Sequence, residues 1–139
     1  MAKEKIKVLF AEDDSMQRQL FDGLLRHYQL EVPSAPQIAR RDVENGHQAI
    51  EEALKIDYDI IFLDIEMPGK TGIEVLEEII REKKDAYVVM ISGHSTSDNV
   101  KKVLELGAKG FIVKPYRINK ITSIIERYMK LKKSEKSAK

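Results

Sequence analysis

Short apolar runs alternate with longer amphipathic segments along the chain. The apolar runs predict five strands, at 5–11, 38–43, 59–63, 86–91 and 110–113. Apolar residues at helical spacing between them predict five helices, at 15–28, at 46–55, around 73–80, near 97–106 and from 118 to about 132. This alternation is typical of an α/β domain in which a doubly wound parallel sheet is covered by helices on both faces.

Turn-forming residues fall between these predicted elements. Pro68–Gly69 marks a tight loop, and either Ser95 or Ser97 is expected to cap the fourth helix. The stretch 29–37 contains two prolines and has no clear period, so we interpret it as a loop that leads into a second strand near the sheet edge.

Composition narrows the possible functions. The 139 residues are 42% hydrophobic and 34% charged, which fits one globular domain, and the absence of cysteine excludes disulfides and thiolate chemistry. No apolar stretch approaches the roughly 20 residues that span a bilayer, and the chain begins without a hydrophobic signal segment, so a cytoplasmic location is expected. We expect no membrane partner.

The basic residues are unevenly distributed. Five of the 24 basic side chains lie in residues 130–139, which leaves the rest of the chain slightly acidic and unsuited to nucleic acid. We therefore expect a domain over residues 1–131 followed by a lysine-rich flexible tail at 132–139. That tail has no interleaved aromatic residues, which favours a solvated segment over a DNA-binding arm.

Charged or polar side chains stand at the carboxyl ends of four predicted strands. Asp64 closes an apolar run, the run 5–11 leads into Glu12-Asp13-Asp14, Ser92 follows Val88–Ile91, and Lys114 follows Val113. The carboxyl ends of parallel strands share one edge of the sheet, so these side chains are expected to converge there.

The chemistry of such a group favours phosphoryl transfer. Carboxylates held close together repel one another, and Mg²⁺, which prefers oxygen ligands, relieves that repulsion. Asp64 can then attack phosphorus as a nucleophile, while Lys114 and the Ser92 hydroxyl stabilise the transferring group. A simpler interpretation makes Asp13 or Asp14 a helix cap, but capping does not explain Asp64.

The motifs resemble the receiver domain of bacterial response regulators over residues 5–131. They are the runs Val8 to Ser15, Ile61 to Gly72, Met90 to Gly93 and Gly107 to Pro115. The resemblance implies a flavodoxin-like fold with five parallel strands in the order 2-1-3-4-5 and five helices. The stretch between the first helix and Asn45 is longer than in compact members.

The resemblance also implies roles for seven residues and Mg²⁺ as the cofactor. These are Asp64 as the phosphoacceptor, Asp13 as the principal magnesium ligand, Glu12 as an acidic partner, Glu66 as a ligand through its backbone carbonyl, Ser92 as the switch hydroxyl, Lys114 as the phosphate-pairing lysine and Phe111 as the aromatic whose rotamer follows phosphorylation. Glu66 and His94 also occupy positions that tune hydrolysis of the acyl phosphate in such domains.

The function implied by the resemblance is that of a single-domain, monomeric response regulator of a two-component system. A sensor histidine kinase or a histidine phosphotransfer protein would supply the phosphoryl group, and the output would be binding to a downstream protein or onward phosphotransfer. Such a protein is not an enzyme beyond its self-catalysed phosphorylation and slow autodephosphorylation.

Three alternatives remain open at this point. The first is a magnesium-dependent phosphatase of the haloacid-dehalogenase class, although those enzymes carry Asp-x-Asp where this chain has Asp64-Ile65-Glu66. The second is an adaptor that keeps only the fold. The third is the receiver portion of a longer transcription regulator.

Overall fold

The computed structural model describes residues 3–94 and 96–137, and within them the chain forms a five-stranded parallel sheet with five helices. The strand order is β2-β1-β3-β4-β5, which confirms the predicted order. The strands are β1 Lys5–Ala11, β2 Gln37–Val43, β3 Ile60–Asp64, β4 Val88–Ser92 and β5 Gly110–Val113.

Helices cover both faces of the sheet. They are α1 Ser15–Glu31, α2 Gly46–Lys55, α3 Gly72–Glu82, α4 Ser97–Glu105 and α5 Ile118–Ser137. Helices α1 and α5 pack on one face, and α2, α3 and α4 share the core on the other. Among these described helices, none has the length and apolar character needed to cross a membrane.

The central strands are apolar because both of their faces are covered. Every residue of β3 and β4 is buried, including the polar residues Asp64 and Ser92 at their ends. On the face covered by α1 and α5, Phe10 stacks on Phe21 with 4.0 Å between ring centroids. Because the strands run in parallel, their carboxyl ends lie along one edge, and side chains from different strands meet there.

The predicted end of the first helix is wrong by three residues. Helix α1 continues to Glu31, and the N–H of Val32 still donates to the carbonyl of Tyr28 at 3.0 Å. Pro33 follows Val32 and disfavours the helical conformation there, so Val32 is extended with φ −115° and ψ 103°. The predicted loop at 29–37 is therefore shorter, and strand β2 begins at Gln37.

The last helix runs past its predicted end near residue 132. Residues 132–137, which we expected to belong to a tail, are a continuation of α5. The Nζ of Lys132 lies 3.0 Å from Oδ1 of Asp59, which also accepts the Tyr128 hydroxyl at 2.6 Å. These contacts join the carboxyl-terminal part of α5 to the amino end of β3.

Helix α4 is the most lightly packed of the helices on its face. Among its described residues only Val103 is buried, whereas α3 buries Gly72, Val75, Leu76 and Ile79. The N-cap of α4 is Thr96, whose hydroxyl accepts from the N–H of Asn99 at 3.1 Å, so the prediction that Ser97 caps this helix is wrong. The alternative cap, Ser95, lies outside the described residues.

Candidate functional site

Asp64 is held at the carboxyl end of β3 and is only 1% exposed. Its Oδ1 accepts the backbone N–H of Glu66 at 2.9 Å. Gly72, at the start of α3, lies so close beneath this turn that any side chain there would collide with the backbone carbonyl of Asp64. Glycine at position 72 therefore allows the helix to support the loop that orients Asp64.

Three carboxylates meet at this edge of the sheet, as the sequence predicted. One oxygen each from Glu12, Asp13 and Asp64 lies within 4.8 Å of the others. Glu12 is fully buried, whereas Asp13 is exposed. Asp14 is not in this group, since its side chain caps α1 and accepts the N–H of Met16 at 2.9 Å.

Lys114 joins two of the carboxylates. Its Nζ lies 2.7 Å from Oε1 of Glu12 and 2.7 Å from Oδ2 of Asp64. Lys114 follows β5 directly, and its peptide bond with Pro115 is cis. The ammonium group thus brings one positive charge into a cluster of three acids.

The charges of the cluster shift one another's pKa values. Burial raises the pKa of Glu12, and the nearby carboxylate of Asp64 raises it further. Although Asp13 as a whole is exposed, slight desolvation of its carboxylate and the proximity of Glu12 raise its pKa. Burial alone would lower the pKa of Lys114, but its bonds to Asp64 and Glu12 outweigh this and raise it. The lysine therefore stays charged at neutral pH.

Tyr116 adds a neutral donor to the cluster. Its hydroxyl donates to Oε1 of Glu12 at 3.2 Å, and its side chain is buried. Burial and the negative charge of Glu12 both raise the pKa of the Tyr116 phenol. The phenol therefore keeps its proton and acts as a hydrogen-bond donor.

Ser92 lies at the end of β4, but its hydroxyl contacts Glu66 and not Asp64. The Ser92 Oγ is 2.9 Å from Oε2 and 3.1 Å from Oε1 of Glu66, and the N–H of Gly93 donates to Oε1 at 3.0 Å. The Nδ1 of His94 lies 3.4 Å from the same oxygen. The Glu66 carboxylate therefore accepts both the Ser92 hydroxyl and the Gly93 N–H at the carboxyl end of β4.

Phe111, the predicted switch aromatic, is partly buried in β5. Its ring packs against the core on the side of the sheet covered by α2, α3 and α4. It lies opposite Met90 of β4, two residues before Ser92. Phe111 is thus close in the sheet to Ser92 and close in the chain to Lys114.

The residues of the cluster suit a magnesium ion. All three side chains offer oxygen atoms, which Mg²⁺ prefers. Oε2 of Glu12 is buried and has no hydrogen-bond partner within the described part of the chain. A buried carboxylate oxygen without a donor is costly, and a cation or one of its water ligands would satisfy it.

A family model for the response regulator receiver domain matches residues 8–126. The chain belongs to this family. The receiver is 29% identical over 125 residues to the chemotaxis protein CheY of Listeria monocytogenes, covering 90% of this chain and 99% of that protein. It is also 35% identical over 126 residues to the two-component response regulator-like protein PRR37 of rice, covering 88% of this chain. It spans only 16% of the length of the rice protein.

Solved structures support the same fold. A chain of the CheX–CheY–BeF3–Mg²⁺ complex from Borrelia burgdorferi is 28% identical, with a TM-score of 0.78 and coverage of 89% of each chain. The receiver domain of the sensor histidine kinase PA1611 of Pseudomonas aeruginosa has a magnesium ion coordinated in its active-site cleft. It matches with a TM-score of 0.75 and 19% identity, over 89% of this receiver and 97% of that chain.

Two contacts of the site were not predicted from the sequence. Glu66 was expected to act through its backbone carbonyl, yet its carboxylate binds Ser92 and Gly93. Tyr116, to which the sequence analysis gave no role, is buried in the core and also contacts Glu12. The sequence carried no local signal for this second contact, because Glu12 and Tyr116 lie 104 residues apart in the chain.

Proposed function

We propose that this receiver accepts a phosphoryl group on Asp64 and signals through the resulting change in protein binding. The observation that supports this most directly is the buried Asp64 carboxylate, joined to Lys114 and held beside Glu12 and Asp13. A purely structural role does not account for three carboxylates meeting at one edge, since their repulsion lowers stability.

The proposed reaction is transfer from a phosphohistidine. A carboxylate oxygen of Asp64 attacks phosphorus, and the bond between phosphorus and the imidazole nitrogen breaks as the new oxygen–phosphorus bond forms. The electron pair stays on that nitrogen, which takes a proton from solvent, so the donor histidine is released as neutral imidazole. Lys114, 2.7 Å from Asp64, is placed to offset the negative charge of the transferring group.

We propose Mg²⁺ as the cofactor of this step. The carboxylates of Asp13, Asp64 and Glu12 and the backbone carbonyl of Glu66 would hold it. Bound there, the ion supplies charge neutralisation to the oxygens of the phosphoryl group. The chain's own residues then orient the nucleophile and the lysine around it.

The proposed donor is a sensor histidine kinase or a histidine phosphotransfer protein, and the proposed output is a downstream protein. The similarity to a CheX–CheY complex supports an output through protein binding. We further propose that the protein is monomeric and acts in the cytoplasm. The lysines beyond residue 131 are proposed to have no nucleic-acid role.

The proposed switch starts at Ser92. A phosphoryl group on Asp64 offers the Ser92 hydroxyl a doubly charged acceptor, which competes with the singly charged carboxylate of Glu66. Movement of Ser92 towards Asp64 draws in the loop before α4 and leaves room for the ring of Phe111 to turn inwards. The surface formed by α4, β5 and α5 would carry the change to a partner.

Intact-mass measurement after incubation with acetyl phosphate and Mg²⁺ tests the assignment. The wild type should gain one phosphoryl group that hydroxylamine removes, and Asp64→Asn should gain none. Asp85→Asn, which removes an exposed carboxylate elsewhere, should behave as the wild type does. Modification that persists in Asp64→Asn would refute the proposal, and multiple turnover of a phosphomonoester would favour the phosphatase alternative.

A further inference from the structure

We infer that Tyr116 is a positioning residue for the magnesium site, because its hydroxyl fixes the orientation of the Glu12 carboxylate. The inference rests on the proposed function, since it concerns how this chain prepares the Mg²⁺ site. Tyr116 itself would touch neither the phosphoryl group nor the metal. It acts through Glu12.

The two oxygens of the Glu12 carboxylate have different surroundings. Oε1 accepts from the Tyr116 hydroxyl at 3.2 Å and lies 2.7 Å from the Nζ of Lys114. Oε2 is buried and has no hydrogen-bond partner within residues 3–94 and 96–137. Both donors therefore hold one oxygen, and the other is left for the cation or its bound water.

The Tyr116 ring is itself held firmly, which a positioning role requires. The side chain is 6% exposed and meets Phe21 and Phe10 edge-on, at centroid distances of 5.8 Å and 6.2 Å. These contacts fix the ring, and so they fix the direction of the hydroxyl at its end. Tyr116→Phe would keep the ring contacts and lose only the hydrogen bond.

Lys114 alone cannot hold the Glu12 carboxylate in place both before and after phosphorylation of Asp64. Its Nζ is shared between Glu12 and Asp64, at 2.7 Å from each. Once Asp64 carries a phosphoryl group, the ammonium is drawn to the new oxygens, and Tyr116 becomes the remaining donor to Oε1 of Glu12. The phenol thus keeps the carboxylate oriented when the lysine is engaged elsewhere.

Titration calorimetry with Mg²⁺ alone, without a phosphodonor, tests the inference. Partners that orient a metal-binding carboxylate typically change metal affinity by about 10- to 100-fold. We expect Tyr116→Phe to raise the Kd for Mg²⁺ by about tenfold, the lower end of that range. Tyr128→Phe is the matched control, because it also removes a phenol–carboxylate hydrogen bond, to Asp59 at the other end of β3. The control should leave the Kd for Mg²⁺ unchanged.

A further comparison separates orientation from packing. Tyr116→Leu loses both the ring and the hydroxyl, so it should lower the melting temperature without Mg²⁺ more than Tyr116→Phe does. Both variants should weaken Mg²⁺ binding by a similar factor. Equal Mg²⁺ affinities in the wild type and Tyr116→Phe would overturn the inference and leave phosphorylation of Asp64 untouched. Failure of the wild type to bind Mg²⁺ would overturn both.

Discussion

The carboxylate of Glu66 should compete with a phosphoryl group for the same donors. It accepts the Ser92 hydroxyl at 2.9 Å and the Gly93 N–H at 3.0 Å. Glu66→Ala removes this competitor while keeping the backbone carbonyl proposed to bind Mg²⁺. The Gly93 N–H is then free to meet a phosphoryl oxygen on Asp64, and the Ser92 hydroxyl still has the His94 carbonyl, 2.9 Å away, as a competing acceptor.

The size of the effect follows from these two bonds. A hydrogen bond to a charged group contributes about 1.5–3 kcal/mol when it is buried. The Glu66 side chain is 42% exposed, so solvent screening reduces each contribution to about 1 kcal/mol. Freeing both donors from Glu66 therefore improves the binding free energy of a phosphoryl mimic by at most about 2 kcal/mol, or roughly 30-fold in affinity.

Beryllofluoride, a mimic of the phosphoryl group, provides the assay. Titrated in saturating Mg²⁺ and followed by backbone NMR, it should bind Glu66→Ala up to roughly 30-fold more tightly than the wild type. Glu66→Gln keeps a neutral acceptor and should gain less. The control Glu82→Ala removes the same charge from an exposed position on α3 and should change nothing. Binding to Glu66→Ala no tighter than to the wild type would refute competition by this carboxylate.

Three further predictions concern the metal site, the switch and the opposite end of the sheet. Asp13→Asn should lose the Mg²⁺-dependent rise in urea stability, about 2.7 kcal/mol at 100-fold excess over Kd, and should stabilise the metal-free protein by removing a repelling charge; an undiminished rise would refute the ligand role. Ser92→Ala should still accept phosphate, while its beryllofluoride-induced NMR shifts in α4 shrink; full-sized shifts there would exclude the switch. Burial alone would raise the pKa of Asp59, but its hydrogen bonds, first that from Tyr128, outweigh burial and lower it. The stability that the ionised Asp59 carboxylate contributes is therefore present above about pH 4 and is lost as pH falls through the folded pKa. Tyr128→Phe should therefore unfold more easily at pH 7 by about 1.5 kcal/mol, and its deficit should narrow in acid, as chemical denaturation at each pH would show; a pH-independent deficit would contradict this.

The sequence predicted the sheet and the converging strand ends because both follow from simple patterns. Buried parallel strands need nearly continuous apolar runs, and a carboxylate that closes such a run, as Asp64 does, is conspicuous. The end of α5 could not be read in this way. Lys132, in this part of α5, contacts Asp59, and the two residues are distant in the chain.

The orientation of the Glu66 side chain was also beyond the sequence. A partly exposed carboxylate two residues after Asp64 can point to solvent, to Mg²⁺ or to β4, and spacing alone does not choose among these. The orientation is fixed by two donors, Ser92 at the end of β4 and Gly93 directly after it, which the fold brings to Glu66. Side-chain rotamers at a loop depend on such tertiary partners.

The sparse burial of helix α4 affects which part of the fold opens most readily. With Val103 as its one buried side chain, α4 can detach at a lower free-energy cost than α3, which buries four residues. Amide hydrogens of α4 should therefore exchange with solvent through local opening, well before those of the central strands. The sheet can remain a rigid frame while one lightly anchored helix fluctuates above it.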